Sequence, residues 1–187
     1  LDLIENGSNW EEIVLLGKEI EKAGATIINT GIGLHEARIP TIGSMVPPGA
    51  FSWVSQRFKE EVRIPIIATN RINTPEIAED ILVKGHSDLI SMARPLLADP
   101  YLAKKAEQSK SHEINICIAC NQACLDHIFQ GELVSCLVNP KACHESFYKQ
   151  SNQTKKKIAV VGAGPAGLAF AVEAAKLGHV ISIYEKE

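Results

Sequence analysis

Four of the five cysteines, Cys117, Cys120, Cys124 and Cys136, fall at the spacing C-x2-C-x3-C-x11-C. Three thiolates packed into one short stretch, with a fourth returned by a loop, can surround a compact inorganic centre. Iron–sulfur clusters take four cysteine thiolates at close, irregular spacings of this kind. Structural zinc is the rival, but it more often uses two separated C-x2–4-C pairs, and here there is one pair and two singles. A disulfide framework fits least, because cysteines two or three residues apart are poorly placed to bridge one another. Incidental thiols are the third reading, and Cys143 is read as an inert buried thiol outside the set. The spacing ranks iron–sulfur first and leaves all three open.

A second constellation lies near the C-terminus, Gly162-Ala163-Gly164-Pro165-Ala166-Gly167. Alone, G-x-G-x-x-G is a weak signal. Here Ile158–Val161 reads as a strand running into it, a helix continues to Lys176, and Glu185 comes 18 residues after the third glycine. That context is the dinucleotide-binding fingerprint. Gly162, Gly164 and Gly167 let the backbone approach a pyrophosphate whose charge meets the helix N-terminus. Glu185 would accept from a ribose 2′-hydroxyl and repel a 2′-phosphate, which favours FAD or NAD over NADP at this position.

Polar side chains also sit where three apolar runs end: His35 and Arg38, Asn70 and Arg71, and Arg94 after Ala93. His35 suits an acid that hydrogen-bonds developing negative charge, with a loop histidine bonded to backbone as the bland alternative. Arg71 and Arg94 suit bidentate contact with a phosphate or flavin, against a reading as surface ion-pair residues. The other histidines are left as structural or solvated.

These positions need scaffolding. Ser8-Asn9-Trp10-Glu11 reads as a capping box with Ser8 at the N-cap, opening a helix faced by Ile13, Leu16 and Ile20 and stopped by Gly24. Ala25–Thr30, Ile64–Thr69 and Asp88–Met92 read as buried strands. Between them lie a long loop from Gly31 to about Gly49, a helix over 50–62, and another from Thr74-Pro75 to Gly85. Pro95 opens a further helix, and residues 100–116 are polar and helical. Trp10 and Trp53 are expected in the core. Successive strand–helix units mean an α/β fold with a parallel sheet covered by helices. Two closures are possible, an open doubly wound sheet or a (β/α)8 barrel, and a barrel needs roughly 250 residues, so only its C-terminal part could be present. In barrels the active site lies at the C-terminal ends of the strands, where His35, Arg71 and Arg94 fall. Asn121 to Phe129 reads as a short helix closed by Gly131, Asn139-Pro140 as a turn, and Ser151–Lys157 as a polar linker. The expected domains are 1–105, the C-terminal part of the barrel; 106–150, the cysteine segment; and 151–187, the start of a Rossmann-type domain.

With 187 residues, 45% hydrophobic and 22% charged, the composition is that of a soluble globular protein. A net charge of −3 supplies no basic field for nucleic acid, and no apolar run is long and unbroken enough for a membrane span. Without a secretory leader, reduced cysteines in a cytoplasm are the expectation. The chain starts without Met and stops within the dinucleotide fold, so it reads as an internal fragment.

The local words are more specific. Thr-Gly-Ile-Gly-Leu-His-Glu-Ala-Arg-Ile-Pro (30–40), Thr-Asn-Arg-Ile-Asn (69–73), Ser-Met-Ala-Arg-Pro (91–95), Cys-Ile-Ala-Cys-Asn-Gln-Ala-Cys-Leu-Asp (117–126) and Cys-Leu-Val-Asn-Pro (136–140) closely resemble the bacterial 2,4-dienoyl-CoA reductase family. That family belongs to the old yellow enzyme superfamily, with trimethylamine dehydrogenase, enoate reductase and bile-acid oxidoreductases. The resemblance spans essentially the whole chain. It implies a 4Fe-4S cluster on Cys117, Cys120, Cys124 and Cys136, and FMN on Arg71, Ala93 and Arg94 of a TIM barrel. It implies that His35, Glu36, Ala37 and Arg38 meet an acyl-CoA substrate, and that Gln122 lies near FAD and the nicotinamide cofactor. Ala166 and Glu185 would bind FAD. The implied activity is reduction of a 2,4-dienoyl-CoA in unsaturated fatty acid oxidation, with electrons passing from NADPH through FAD, the cluster and FMN. Related enoate, bile-acid or amine substrates are the alternative, and a zinc-stapled binding module is a distant third.

Overall fold

The first helix, α1 (Trp10–Lys22), starts one residue later than the sequence pattern places it. Asn9, not Ser8, is the N-cap: its side chain accepts from the Glu12 N–H at 2.9 Å, and the Glu12 carboxylate accepts from the Asn9 N–H at 3.0 Å. Both tetrads satisfy the capping-box pattern, and asparagine caps as well as serine. The structure is a computed structural model describing residues 3–34, 37–147 and 154–186. The described chain divides into two compact units, residues 1–145 and 146–187.

In the first unit, α1 leads to β1 (Ile28–Asn29), α2 (Ser52–Lys59), β2 (Ile66–Ala68), α3 (Pro75–Val83), β3 (Leu89–Ile90), α4 (Arg94–Ala98) and α5 (Leu102–Glu107). The three strands form a parallel sheet in sequential order, with Ile28 beside Ile66 and Ile67 beside Leu89. Sequential neighbours joined by crossover helices are what a barrel requires of every strand. The strands are shorter than the apolar runs that announce them. Beyond the paired residues the runs make single backbone bonds to β2, as where Thr30 N–H donates to the Ile67 carbonyl and Ser91 N–H to the Ala68 carbonyl.

One face of the sheet packs on Phe58, Val62 and Ile66, with Trp10, Ile13 and Ile28 against them. A second cluster joins Ala68, Ile72 and Ile81 to Ile77, Ile90 and Met92. Gly17 lets α1 approach α2: a methyl there would stand 2.2 Å from the Phe58 ring. The expected face of α1 is only partly covered, because Leu16 and Ile20 line an open apolar cleft with Gly17, Ile28 and Phe58. Trp10 meets Phe58 edge-on at 6.2 Å between ring centroids, as a core residue should. Trp53, expected in the core, is 44% exposed because it lies on the outer side of a short helix.

Buried Asp99 ends α4 and organises the chain from there to the cysteines. Its carboxylate accepts from the N–H groups of Tyr101 at 3.0 Å and Asn115 at 2.9 Å, and from Lys105 Nζ at 2.5 Å. Lys105 also reaches the Glu113 carbonyl at 2.8 Å, so the chain entering the cysteine segment is tied to α5. Burial pushes the Asp99 pKa up, but the hydrogen bonds from Lys105, Asn115 and Tyr101, with the Lys105 charge, outweigh it and hold the carboxyl below its usual range. A depressed folded-state pKa gives stability that is present above the unfolded value near 3.9 and is lost as pH falls through the folded value. Asp99→Asn is expected to cost about 3 kcal/mol at neutral pH, because it strands the Lys105 charge. It should also flatten the acid limb of the stability curve, as denaturant titrations at neutral and acid pH would show.

Later in the first unit come a π-turn at Gln122–Asp126 and a short helix, α6 (His127–Gln130). The turn departs from the expected single helix over 121–129. The second unit holds β4 (Lys157–Val161), α7 (Pro165–Lys176) and β5 (Val180–Tyr184). β4 and β5 pair in parallel along their length, from Lys157 beside Val180 to Val161 beside Tyr184. This is the strand–helix–strand unit expected from the glycine fingerprint.

Candidate cofactor and cysteine site

The four spaced cysteines line one cavity. Leu97, Leu137 and Val138 give it an apolar wall, and Arg94 also lines it. The backbone explains the convergence. Ala119 (φ 55°) and Asn121 (φ 64°) are both left-handed, which bends the chain twice between Cys117 and Cys124. Each such residue costs about 1 kcal/mol or more, except that asparagine visits this region readily. The Asn121 carbonyl accepts from the Asp126 N–H at 3.0 Å, closing the π-turn that carries Cys124. Such turns recur at functional sites. Ser135 N–H then donates to the Ala123 carbonyl at 2.7 Å, and a tight turn from Cys136 to Asn139 returns the fourth thiol.

Three side-chain amides lash this segment to the sheet unit. Arg94 Nη1 donates to Asn121 Oδ1, Asn139 Nδ2 donates to the Leu97 carbonyl at 3.0 Å, and Asn73 Nδ2 donates to the Cys117 carbonyl at 2.9 Å. Sequence reasoning missed all three asparagines; Asn139 was legible only as a turn former beside Pro140. Burial pushes the Cys124 thiol up, the Leu125 N–H and Arg94 work against that, and the nearby Cys120 and Cys117 add to the rise. Such a thiol ionises most readily when a metal centre takes its proton's place. Among the described residues, no three His, Cys, Asp or Glu side chains are drawn up as the ligand set of a single ion. Four thiols lining an apolar cavity are soft donors of the kind that both zinc and iron–sulfur centres take. Cys143, expected buried, is exposed and lies outside the cavity lining. Its φ of 63° places it in a turn at the surface.

Arg71 and Arg94 meet at the same end of the sheet, where the chain leaves β2 and β3. Arg71 is buried, and its Nε donates to the Val46 carbonyl at 2.8 Å. Burial and the neighbouring Arg94 lower its pKa, while Cys117 raises it. Two guanidinium groups this close are a natural seat for an anion. Asn70 and Arg71 are consecutive left-handed residues (φ 68° and 56°). That turn lets Asn70 Nδ2 reach the Ile32 carbonyl at 3.1 Å, pinning the base of the loop after β1. Ala93 is the exposed N-cap of α4. Ala37 and exposed Arg38 lie in that loop, whereas His35 and Glu36 fall outside the described residues. Gln122, exposed, opens the π-turn.

In the second unit the three glycines have different reasons. Gly162 needs its positive φ of 103°. A methyl on Gly167 would stand 2.0 Å from the Gly162 carbonyl oxygen, whereas one on Gly164 would meet nothing within 4 Å. Glu185 accepts from the Ala163 N–H, so the carboxylate stands over the glycine turn, and Ala166 is exposed on the first turn of α7.

Residues 1–113 match the model of the NADH:flavin oxidoreductase / NADH oxidase family, and residues 160–187 match that of the NAD(P)-binding Rossmann-like domain. A metal reductase of Desulforamulus reducens is 48% identical over 99% of this chain and 28% of its own length. An NADH oxidase of Thermoanaerobacter brockii is 37% identical over 100% of this chain and 29% of its own. Among solved structures, a 2-naphthoyl-CoA reductase in complex with 2-naphthoyl-CoA superposes with a TM-score of 0.91 at 34% identity, over 97% of this chain and 28% of that one. The chain thus spans less than a third of the length of the relatives it matches.

Proposed function

This chain belongs to the NADH:flavin oxidoreductase / NADH oxidase family, and from that premise we propose that the whole protein is an iron–sulfur flavoenzyme reducing a conjugated enoyl-CoA, a 2,4-dienoyl-CoA, with NADPH. What supports the cofactor reading is the cavity wall shared by Cys117, Cys120, Cys124, Cys136 and Arg94 at the end of the sheet where Arg71 also lies. What supports the substrate class is the likeness to a reductase bound to an aromatic acyl-CoA. When bound, the flavins would supply hydride chemistry and the cluster one-electron transfer.

Each residue's task is set by its chemistry. The four cysteines would hold a 4Fe-4S cluster, and the apolar wall of Leu97, Leu137 and Val138 would keep water from it. Arg71 and Arg94 would bind the FMN phosphate, with the exposed Ala93 N-cap leaving room for it beside α4. Arg38 would attract the acyl-CoA's negative charge, Glu36 and Ala37 would also meet the substrate, and His35 would polarise the thioester or assist protonation. Gln122, Gly162, Gly164, Ala166, Gly167 and Glu185 would face FAD. On this reading residues 1–105 are the end of a TIM barrel, 106–150 the cluster segment and 151–187 the start of the FAD domain.

A second reading has a specific observation behind it. The metal reductase and NADH oxidase relatives point to the same cofactors delivering electrons to a metal or to oxygen. Anaerobic assays of the full-length protein decide between them. On the first reading, NADPH oxidation depends on 2,4-dienoyl-CoA and matches its loss one for one. Oxidation that responds only to ferric chelate or oxygen would overturn it. In the same protein His35→Ala is expected to slow re-oxidation of the reduced enzyme by dienoyl-CoA about 10²-fold, with reduction by NADPH unchanged. Stopped-flow measurement of the two half-reactions checks this.

A further inference from the structure

Asn73 stands at the end of the loop that leaves β2, and its hydrogen bonding is lopsided. The side chain is buried, at 8% exposure, and Nδ2 donates to the Cys117 carbonyl at 2.9 Å. Oδ1 is the one buried side-chain atom among the described residues with no partner. A leucine would keep the same branching with no orphaned acceptor, so the bond that its donor makes is what favours an asparagine here. Because the partner is a carbonyl, the amide's orientation is unambiguous: only the nitrogen can face it.

The loop that carries Asn73 is held rigidly from within. Asn70 and Arg71 turn it through the left-handed region, and Arg71 is clamped through Nε to the Val46 carbonyl and through its own carbonyl to the Gly49 N–H at 2.8 Å. Ile72, 4% exposed, sits in the core cluster with Ala68 and Ile81. A side chain projecting from such a loop has a fixed origin. The other ties on the cysteine segment, Arg94 to Asn121 and Asn139 to Leu97, run to α4 instead. Asn73 is the hydrogen-bonded tie from the β2 loop to a cysteine of the set.

We propose that Asn73 is a positioning residue for the cysteine centre: it fixes Cys117 to the short loop that also presents Arg71, so one piece of backbone sets both the anion-binding arginine and the first thiol. The proposal rests on reading the four cysteines as an iron–sulfur seat. With the Cys117 carbonyl released, the Cys117–Cys120 loop, already bent at Ala119, is free to open and expose the centre.

The test uses anaerobically purified full-length protein and the variants Asn73→Leu and Asn73→Asp. Leucine removes donor and orphan together; aspartate keeps the shape but faces the carbonyl with an oxygen. Iron, acid-labile sulfide and FMN per chain, melting temperature, and the rate of iron release to a chelator are measured. Asn73→Leu is expected to keep FMN and melting temperature and to release iron about tenfold faster, the factor that one hydrogen bond is worth; Asn73→Asp, which also buries an unpaired carboxylate, should release iron at least as fast and melt lower. Asn73→Gln, which retains the donor, should recover part of the difference. Release at the wild-type rate overturns the proposal. Parallel loss of iron, FMN and melting temperature in Asn73→Leu also overturns it, by making Asn73 a residue of the fold. Wild-type protein lacking iron and sulfide would sink the iron–sulfur reading itself and the proposal with it, an outcome visible before any variant is made.

Discussion

Cys136→Ser in the full-length protein is expected to abolish assembly of the iron–sulfur centre, whereas Cys143→Ser is expected to leave iron, sulfide and the visible absorption unchanged. Cys136 shares a cavity with Cys117, Cys120 and Cys124, and the turn to Asn139 that presents it is anchored through Asn139 to the Leu97 carbonyl. A cluster deprived of one of four thiolates keeps an open iron site at the cavity wall. Serine is a poor substitute there, because iron in such clusters favours soft thiolate sulfur. Cys143 is exposed and takes no part in the cavity lining. Equal iron in the two variants would remove Cys136 from the ligand set and reopen the zinc and incidental-thiol readings. Full iron loss in both would mean that Cys143 is needed from outside the cavity, contrary to the geometry.

The unequal legibility of these features has physical causes. Cysteine spacing and the glycine fingerprint are read directly because each demands particular residue types at fixed separations: the four cysteines line one cavity in the first unit, and the glycines stand at one strand–helix turn in the second. Helix starts are nearly as clear, yet Ser8 and Asn9 are equivalent caps on paper, and only the Glu12 partner separates them. Strand lengths are overread: along the apolar run Ala25–Thr30 no residue is buried, and strand pairing is registered at Ile28 and Asn29, where β2 lies alongside. The polar scaffolding stays hidden. Asn70, Arg71, Ala119 and Asn121 adopt left-handed backbone without a glycine to announce it. Asn73 and Asn139 act across 44 and 42 residues of sequence, a separation that no local pattern encodes.

The three glycines of the second unit separate fold from binding. Gly167→Ala puts a methyl 2.0 Å from the Gly162 carbonyl oxygen and 3.2 Å from its carbon, both backbone atoms at the end of β4 that cannot swing away. The strand and α7 would have to part, at a cost of about 3 kcal/mol. Gly164→Ala meets nothing within 4 Å, and its φ of −68° is ordinary for alanine, so the fold should accept it. The same open space is where a pyrophosphate would approach the N-terminus of α7. In the full-length protein, Gly167→Ala should therefore lose FAD together with a cooperative unfolding transition. Gly164→Ala should keep the transition and lose FAD alone. FAD content after gel filtration, beside calorimetry of the same samples, distinguishes these outcomes. A Gly164→Ala variant that holds FAD as tightly as the wild type would show that the glycine turn is not where the dinucleotide's phosphates lie.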